Sequence, residues 1–360
     1  MSPHRRTGVG GPTDPVLDRR PILSARARRW TLATLIVAFV AVAVTTVLTS
    51  TAWPSALLIR AVFTKGGAET VAEMQPYVPE TGVDSRLDVA KGEAGGPGTG
   101  LDVFTPSDSE GPNPTVVWVH GGAWISGSKE NVAPYLQILA GHGYTAIGLD
   151  YTIAPEATYP TATKQLNDSL AYLVEHADEL GVDPDQIVLA GDSAGAQLAS
   201  QLAVLTTNPK YAGILGVEPA LDADQLVGVI LNCGVYDLRA MAELNGIGAW
   251  GFQVALWAYT GTKNWSSDYA GSTMSTIDFV TEEFPPTFIT GGNGDALTWI
   301  QSIPMSGALQ DAGVDTTELF WAADHEPALP HEYQFHLDFD EAHVALEQTL
   351  DFLAKHTDAG

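Results

Sequence analysis

The pentapeptide Gly191-Asp192-Ser193-Ala194-Gly195 places a hydroxyl among small residues, after an apolar run at 187–190 and before a helical pattern at 194–205. Between a strand and a helix, G-x-S-x-G forms a turn so tight that the residues flanking the serine must be small. Gly191 and Gly195 meet that demand, and Ala194 and Ala196 let the helix pack close. Ser193 would then stand at the carboxyl edge of a sheet, beside a helix amino terminus that favours developing negative charge. The chemistry such a serine performs is nucleophilic attack on an acyl carbon. A Gly-Ser loop without chemical role is the plain alternative, and the strand and helix patterns on either side weigh against it.

A serine hydroxyl needs a base to take its proton, and the base needs an acid to orient it. In a strand-turn-helix elbow the partners follow in the order serine, acid, histidine. Asp295 lies in GGNGDAL (291–297), just past a strand-like run at 286–290, where the turn residues expose it. It would equally serve as a cap for the helix that follows. Asp237, past the preceding strand, is the rival. Five histidines follow Asp295: His325, His331, His336, His343 and His356. His343 and His356 fall in or after the last helical pattern, which suits a solvated surface. The other three share the loop after 317–321, and the spacing alone leaves the choice among them open.

Acyl transfer also passes through a tetrahedral oxyanion that requires preorganised donors. His120-Gly121-Gly122-Ala123 leaves the apolar run 116–119, about seventy residues before the serine. Its small residues allow the backbone to approach a substrate, so the Gly122 and Ala123 N–H groups are candidate donors, with that of Ala194 after the nucleophile. His120 precedes the serine in the chain and suits a buttress of the loop better than a base. Trp124, Trp250 and Trp257 suggest an apolar pocket, although tryptophans commonly serve as plain core. The single cysteine, Cys233, excludes an internal disulfide and ends an apolar run, as an inert core thiol would. Neither an H-E-x-x-H pattern nor a CxxC pair is present, and the chemistry calls for no metal or cofactor.

The elements that must hold these residues alternate. Strand-like runs at 101–104, 115–119, 145–149, 187–190, 227–231, 286–290 and 317–321 are separated by helical patterns at 161–177, 194–205, 302–312 and 341–355. Continuous apolar, β-branched runs mark strands buried on both faces. The alternation predicts an α/β fold with a mostly parallel central sheet and helices on both faces. Residues 239–285 interrupt it and read as a small cap insertion.

Net charge is −26, unevenly placed: residues 1–30 carry +5, leaving −31 on the other 330. So acidic a body repels nucleic acid and anionic headgroups. Residues 30–59 contain no charge, and 31–48 are mostly apolar, a helix of about 27 Å that approaches a bilayer core. Arginines directly before it place the amino terminus in the cytoplasm and the body outside. The expected organisation is a basic cytoplasmic segment (1–30), a transmembrane helix (31–50), a connecting segment (51–74) and a catalytic domain (75–360). A cleaved signal peptide, with secretion, is the alternative. The stretch 51–65, broken by Pro54 and Arg60, suits either a membrane surface or a cover over the domain mouth.

These residues resemble the α/β-hydrolase superfamily, in its hormone-sensitive-lipase-like esterase and carboxylesterase branch. HGGAW (120–124) is similar to the HGGG-type oxyanion motif, and GDSAG (191–195) matches the nucleophile elbow. LDYTIAPE (149–156) resembles D-Y-R-L-A-P-E with Thr152 in place of the arginine, and NGDAL (293–297) is similar to the acid motif. LPHEYQF (329–335) resembles the histidine segment of related bacterial esterases, and this likeness favours His331 over His325, although it departs from H-G-F. The resemblance covers about residues 75–355. It implies an α/β-hydrolase fold and a Ser193–Asp295–His331 triad, with Gly122, Ala123 and Ala194 as the oxyanion hole. It also implies a small-molecule ester substrate. An amidase or formamidase on the same fold is one alternative, and an inactive, membrane-tethered binding protein is another.

Overall fold

A computed structural model describes Gly8, Gly11, residues 24–109 and residues 111–357. The expected basic segment, apart from Gly8, Gly11 and residues 24–30, lies outside the described residues. The chain divides into two compact units, Met1–Ser50 and Thr51–Gly360.

In the first unit, helix α1 (Ala25–Ser50) has a mean hydropathy of 2.5 and buries none of its residues. The hydroxyls of Thr31, Thr34, Thr46 and Thr49 bond back to carbonyls one turn earlier, so the few polar side chains are satisfied inside the helix. By length and composition α1 suffices to cross a membrane, a property that spans and signal sequences share.

The second unit holds an eight-stranded sheet in the order β1-β2-β4-β3-β5-β6-β7-β8. The strands are β1 (Val83–Val89), β2 (Leu101–Pro106), β3 (Asn113–Val119), β4 (Thr145–Leu149), β5 (Val182–Asp192), β6 (Leu226–Asn232), β7 (Thr287–Gly291) and β8 (Thr316–Phe320). β1–β2 and β2–β4 pair antiparallel, and all later pairs are parallel. Strand β1 is not among the strand-like runs of the sequence: VDSRLDV is a largely exposed edge strand with only three apolar residues, too weak a signal beside the buried runs. The period-2 alternation of the central strands divides the core. Val117, Val119, Leu189 and Leu231 face one apolar cluster; Val116, Trp118, Ala190 and Ile230 face the other.

Twelve helices occur among the described residues. After α1 come α2 (Trp53–Met74), α3 (Ala133–Gly141), α4 (Thr161–Glu175), α5 (Ala177–Leu180), α6 (Ala194–Thr207) and α7 (Pro209–Leu215). The 239–285 insertion is largely α8 (Leu238–Ala242), α9 (Ile247–Thr260) and α10 (Tyr269–Met274); α11 (Ile303–Asp311) and α12 (Asp340–His356) follow. Helices α3 and α12 pack on the Trp118 face, whereas α4, α6 and α11 pack on the Val117 face.

The segment expected to connect membrane and domain is itself helix α2. Pro54 does not interrupt it, because a proline in the first turn gives up an N–H that has no helical partner. Arg60 turns inward: its guanidinium meets both Glu156 oxygens at 2.8 and 2.6 Å and donates to the carbonyls of Ile125 (2.6 Å) and Ala154 (2.7 Å). Further along, Glu73 meets His336 Nδ1 at 2.5 Å. These contacts fasten α2 over the loop that leaves β3. Arg60→Ala is expected to cost about 1–3 kcal/mol, since it strands Glu156 and two carbonyls together. Hydrogen–deuterium exchange should show the loss concentrated in α2.

Candidate active site

Ser193 sits between β5 and α6 with φ 51° and ψ −118°, a conformation L-residues adopt only when the surroundings enforce it. Its N–H donates to the Asn232 carbonyl at the end of β6 (2.8 Å). A side chain at Gly195 would collide with the carbonyls of Val119 and His120, so the helix can approach β3 this closely only with glycine there.

The loops after β7 and β8 bring the other residues. Asp295 follows the glycine-rich turn beyond β7; its Oδ1 accepts from the Leu297 N–H (2.9 Å), the local cap its position suggests, and its Oδ2 meets His331 Nδ1 at 2.6 Å. His331 Nε2 lies 2.9 Å from Ser193 Oγ. With Nδ1–H donated to a carboxylate, Nε2 is left to accept from the hydroxyl. Asn293 ties the two loops together, donating to the His325 carbonyl (2.8 Å) and accepting from the Leu329 N–H (2.8 Å).

The rival residues are engaged elsewhere. His325 Nε2 pairs with Glu341 at the start of α12 (2.7 Å). Asp237 caps α8 through the Arg239 N–H and binds the Arg239 guanidinium, both at 2.9 Å. His120 is buried and stacks on Tyr151 (4.4 Å between centroids), and its Nδ1 contacts the Gly121 carbonyl at 2.8 Å. Burial lowers its pKa despite nearby Asp150, so it braces the loop as a neutral ring.

The oxyanion-loop residues Gly122 and Ala123 have φ of 99° and 52°. The Gly122 carbonyl accepts from Ile125 (3.1 Å) and Ser126 (3.0 Å), closing a turn. Among the described residues, the N–H groups of Gly122, Ala123 and Ala194 donate to no protein atom. They remain available to an anion beside Ser193.

Two carboxyl groups accompany the histidine. Asp192 is buried, and accepts from Trp118 Nε1 (2.7 Å) and the Gly121 N–H (2.8 Å). Burial, followed by the charge of Glu332, pushes its carboxyl well above the usual range. Glu332, at φ 59°, brings Oε1 to 3.6 Å from His331 Nε2. Enclosure disfavours a charged His331, but the Asp295 hydrogen bond and the negative charges of Glu332, Asp295 and Asp192 outweigh it. Its pKa is raised to about 9. Sequence reasoning missed Glu332, although HEYQF displays it beside the histidine; nothing local reveals that it reaches Asp192.

These groups open into a cavity of ≈ 420 Å³, whose apolar lining includes Val62, Phe63, Phe252 and Phe335. None of the three candidate pocket tryptophans lines it. Trp124 is core, stacked on Tyr259 with its indole N–H on Gln197; Trp257 carries Lys263 over its ring; Trp250 is exposed. Cys233 is buried, and burial raises its thiol pKa, so it stays a thiol. Its Sγ lies within 4.8 Å of ligand atoms of Asp295 and His331. The Asp295–His331 hydrogen bond already engages two members of that set, which suits proton transfer better than metal binding.

The sequence profile of BD-FAE matches residues 101–309, which hold the oxyanion loop, the elbow and Asp295. The chain belongs to the BD-FAE family. It is 29% identical over 207 residues to esterase LipQ of Mycobacterium tuberculosis, covering 56% of this chain and 47% of LipQ; the chain thus spans about half the length of that curated relative. Esterase B of Lactobacillus rhamnosis superposes with a TM-score of 0.68 at 23% identity, over 84% of this chain and 96% of that one. Esterase LipW of Mycobacterium marinum gives 0.66 at 22% identity, over 85% and 90%. The fold is the α/β-hydrolase fold, as in these esterases. His331 and the loop carrying it fall beyond the matched profile.

Glu332→Gln removes the negative charge nearest Nε2. The titration of His331, followed by NMR of labelled histidines, is expected to move to lower pH than in the parent protein, with His325 unmoved.

Proposed function

We propose that the protein is a serine hydrolase that cleaves carboxylic esters through an acyl-enzyme. The observation that carries this is the unbroken chain of hydrogen bonds Asp295–His331–Ser193, at 2.6 and 2.9 Å, beside unengaged loop amides. Ser193 Oγ attacks the acyl carbon while its proton passes to His331 Nε2. Asp295 holds the imidazole in register and stabilises the imidazolium. The carbonyl oxygen, now carrying the charge, accepts from the Gly122, Ala123 and Ala194 amides. The imidazolium returns its proton to the departing alkoxide. Water repeats the sequence on the acyl-enzyme, with His331 again as base, releasing the acid and restoring Ser193. The likeness to LipQ, an esterase by name, supports ester over amide bonds.

By this reading the protein is anchored by α1, with its body outside the cytoplasmic membrane and the basic segment inside. The apolar length of α1 and the arginines at its start (26, 28 and 29) support that orientation.

Ser193→Ala and His331→Ala should each lower kcat by about three orders of magnitude or more in folded protein, assayed with p-nitrophenyl esters of graded length. His325→Ala should lose far less, and the reverse ranking would move the base to His325. In the parent enzyme kcat/KM should climb as pH rises towards about 9, because attack requires the neutral imidazole. For the topology, protease added to intact cells should digest the body; digestion only after lysis would reverse the orientation.

A further inference from the structure

Helix α2 is apolar on two opposite sides. Its inner side, with Ala56, Ile59 and Met74, packs into the body. On the outer side of its first turns stand Trp53 (44% exposed), Leu57 (44%), Leu58 (63%) and Val62 (64%). Their spacing puts them on one half of the helix, where a water-facing helix would carry polar groups. Beyond them the outer side turns polar, with Lys65 and Glu69 paired at 3.5 Å. The one basic residue within the apolar stretch, Arg60, points inward to Glu156 and leaves the outer face uncharged. Helix α9, on which α2 packs, adds the exposed Trp250.

Two further facts specify what covers this face. Only Thr51 and Ala52 separate Trp53 from the end of α1 at Ser50, so the chain itself keeps Trp53 within about 11 Å of that end. If α1 spans a bilayer, Trp53 lies at its surface. Val62 and Phe63 also line the cavity that holds Ser193, so the exposed stripe runs up to the cavity wall. The acidic body repels anionic headgroups, so attraction must come from apolar burial rather than charge.

We propose that the first turns of α2 lie in the headgroup–hydrocarbon boundary of the bilayer, and that the cavity opens there at Val62 and Phe63 to take esters whose acyl chains are dissolved in the membrane. The docking clause rests on the exposed face of α2 and on the reading of α1 as a membrane anchor; the substrate clause rests on the serine-hydrolase reading.

The test uses the full chain reconstituted in phosphatidylcholine vesicles. An environment-sensitive fluorophore is attached to Leu58→Cys or, as a control, to Ala72→Cys on the polar part of the same helix. The native Cys233 is buried and does not compete for the label. Doxyl-labelled lipid should quench the label at position 58 several-fold more than that at 72, and added salt should not reverse this. Equal, weak quenching at both positions would overturn the docking. Leu58→Asp should then lower turnover of a long-chain ester carried in the vesicles several-fold, while a short-chain water-soluble ester is cleaved as before. If quenching holds but the two esters respond alike, the entry route is overturned and the docking stands. A wild-type protein that cleaves neither ester counts against the hydrolase reading and the substrate clause, and leaves quenching to decide the docking.

Discussion

The approach of Gly195 to the carbonyls at the end of β3 is the constraint on which the site depends. It brings the start of α6 against His120 so closely that no side chain fits between them. Three things are thereby fixed together: the serine at the tip of β5, the amide that follows it, and the loop whose amides face it. Loosening this contact would move the Ser193 hydroxyl relative to the Gly122, Ala123 and Ala194 amides, which under the proposed mechanism act only when already in place. Trp118 reinforces the same junction from below. It is fully buried in the sheet, and its indole N–H reaches Asp192, which in turn holds the Gly121 amide.

Such a junction stores strain. Ala123, Trp124, Ser193, Cys233 and Glu332 all have positive φ, and all lie at or beside the site. Each costs roughly 1–2 kcal/mol in a residue with a Cβ. The surrounding structure offsets that cost with paired backbone groups and deep burial. The Ser193 N–H is held by Asn232, that of Cys233 by Thr290, and Trp124 is enclosed against Tyr259. Helix α2 contributes from the other side, because Arg60 holds the Ile125 carbonyl in the same loop. A residue sixty positions before the loop thus helps set its conformation.

The parts legible in the sequence are those whose physics is local. Buried parallel strands advertise themselves as apolar runs, and the elbow glycines by their spacing, so the sheet and the position of Ser193 could be read directly. Asp295 followed from the turn after β7. What could not be read depends on tertiary neighbours. Strand β1 is a largely exposed edge strand with few apolar residues. The stretch containing Pro54 and Arg60 reads as interrupted, yet the proline falls in a first turn and the arginine finds Glu156 across the fold. Choosing among the histidines was equally non-local: the ring that meets Ser193 is selected by the Asn293 clamp between the β7 and β8 loops. The cavity wall comes from Val62, Phe63, Phe252 and Phe335, distant in sequence, while the conspicuous tryptophans serve elsewhere.

The electrostatics around His331 express a compromise. Asp295 faces Nδ1, Glu332 approaches Nε2, and Asp192 stands behind Glu332. Under the proposed mechanism, negative charge on both sides of the ring favours the imidazolium that would form as Ser193 attacks, which would help the transition state. The same charge favours an imidazolium in the resting protein, which withdraws the base. Burial, followed by the charge of Glu332, pushes the Asp192 carboxyl well above its usual range, which weakens its share of that negative charge. Trp118 and the Gly121 amide donate to Asp192 and favour its ionised form, whereas its burial and Glu332 oppose it. The contacts that hold the loop after β3 thus also bear on the charge beside His331, so the two halves of the site share Asp192.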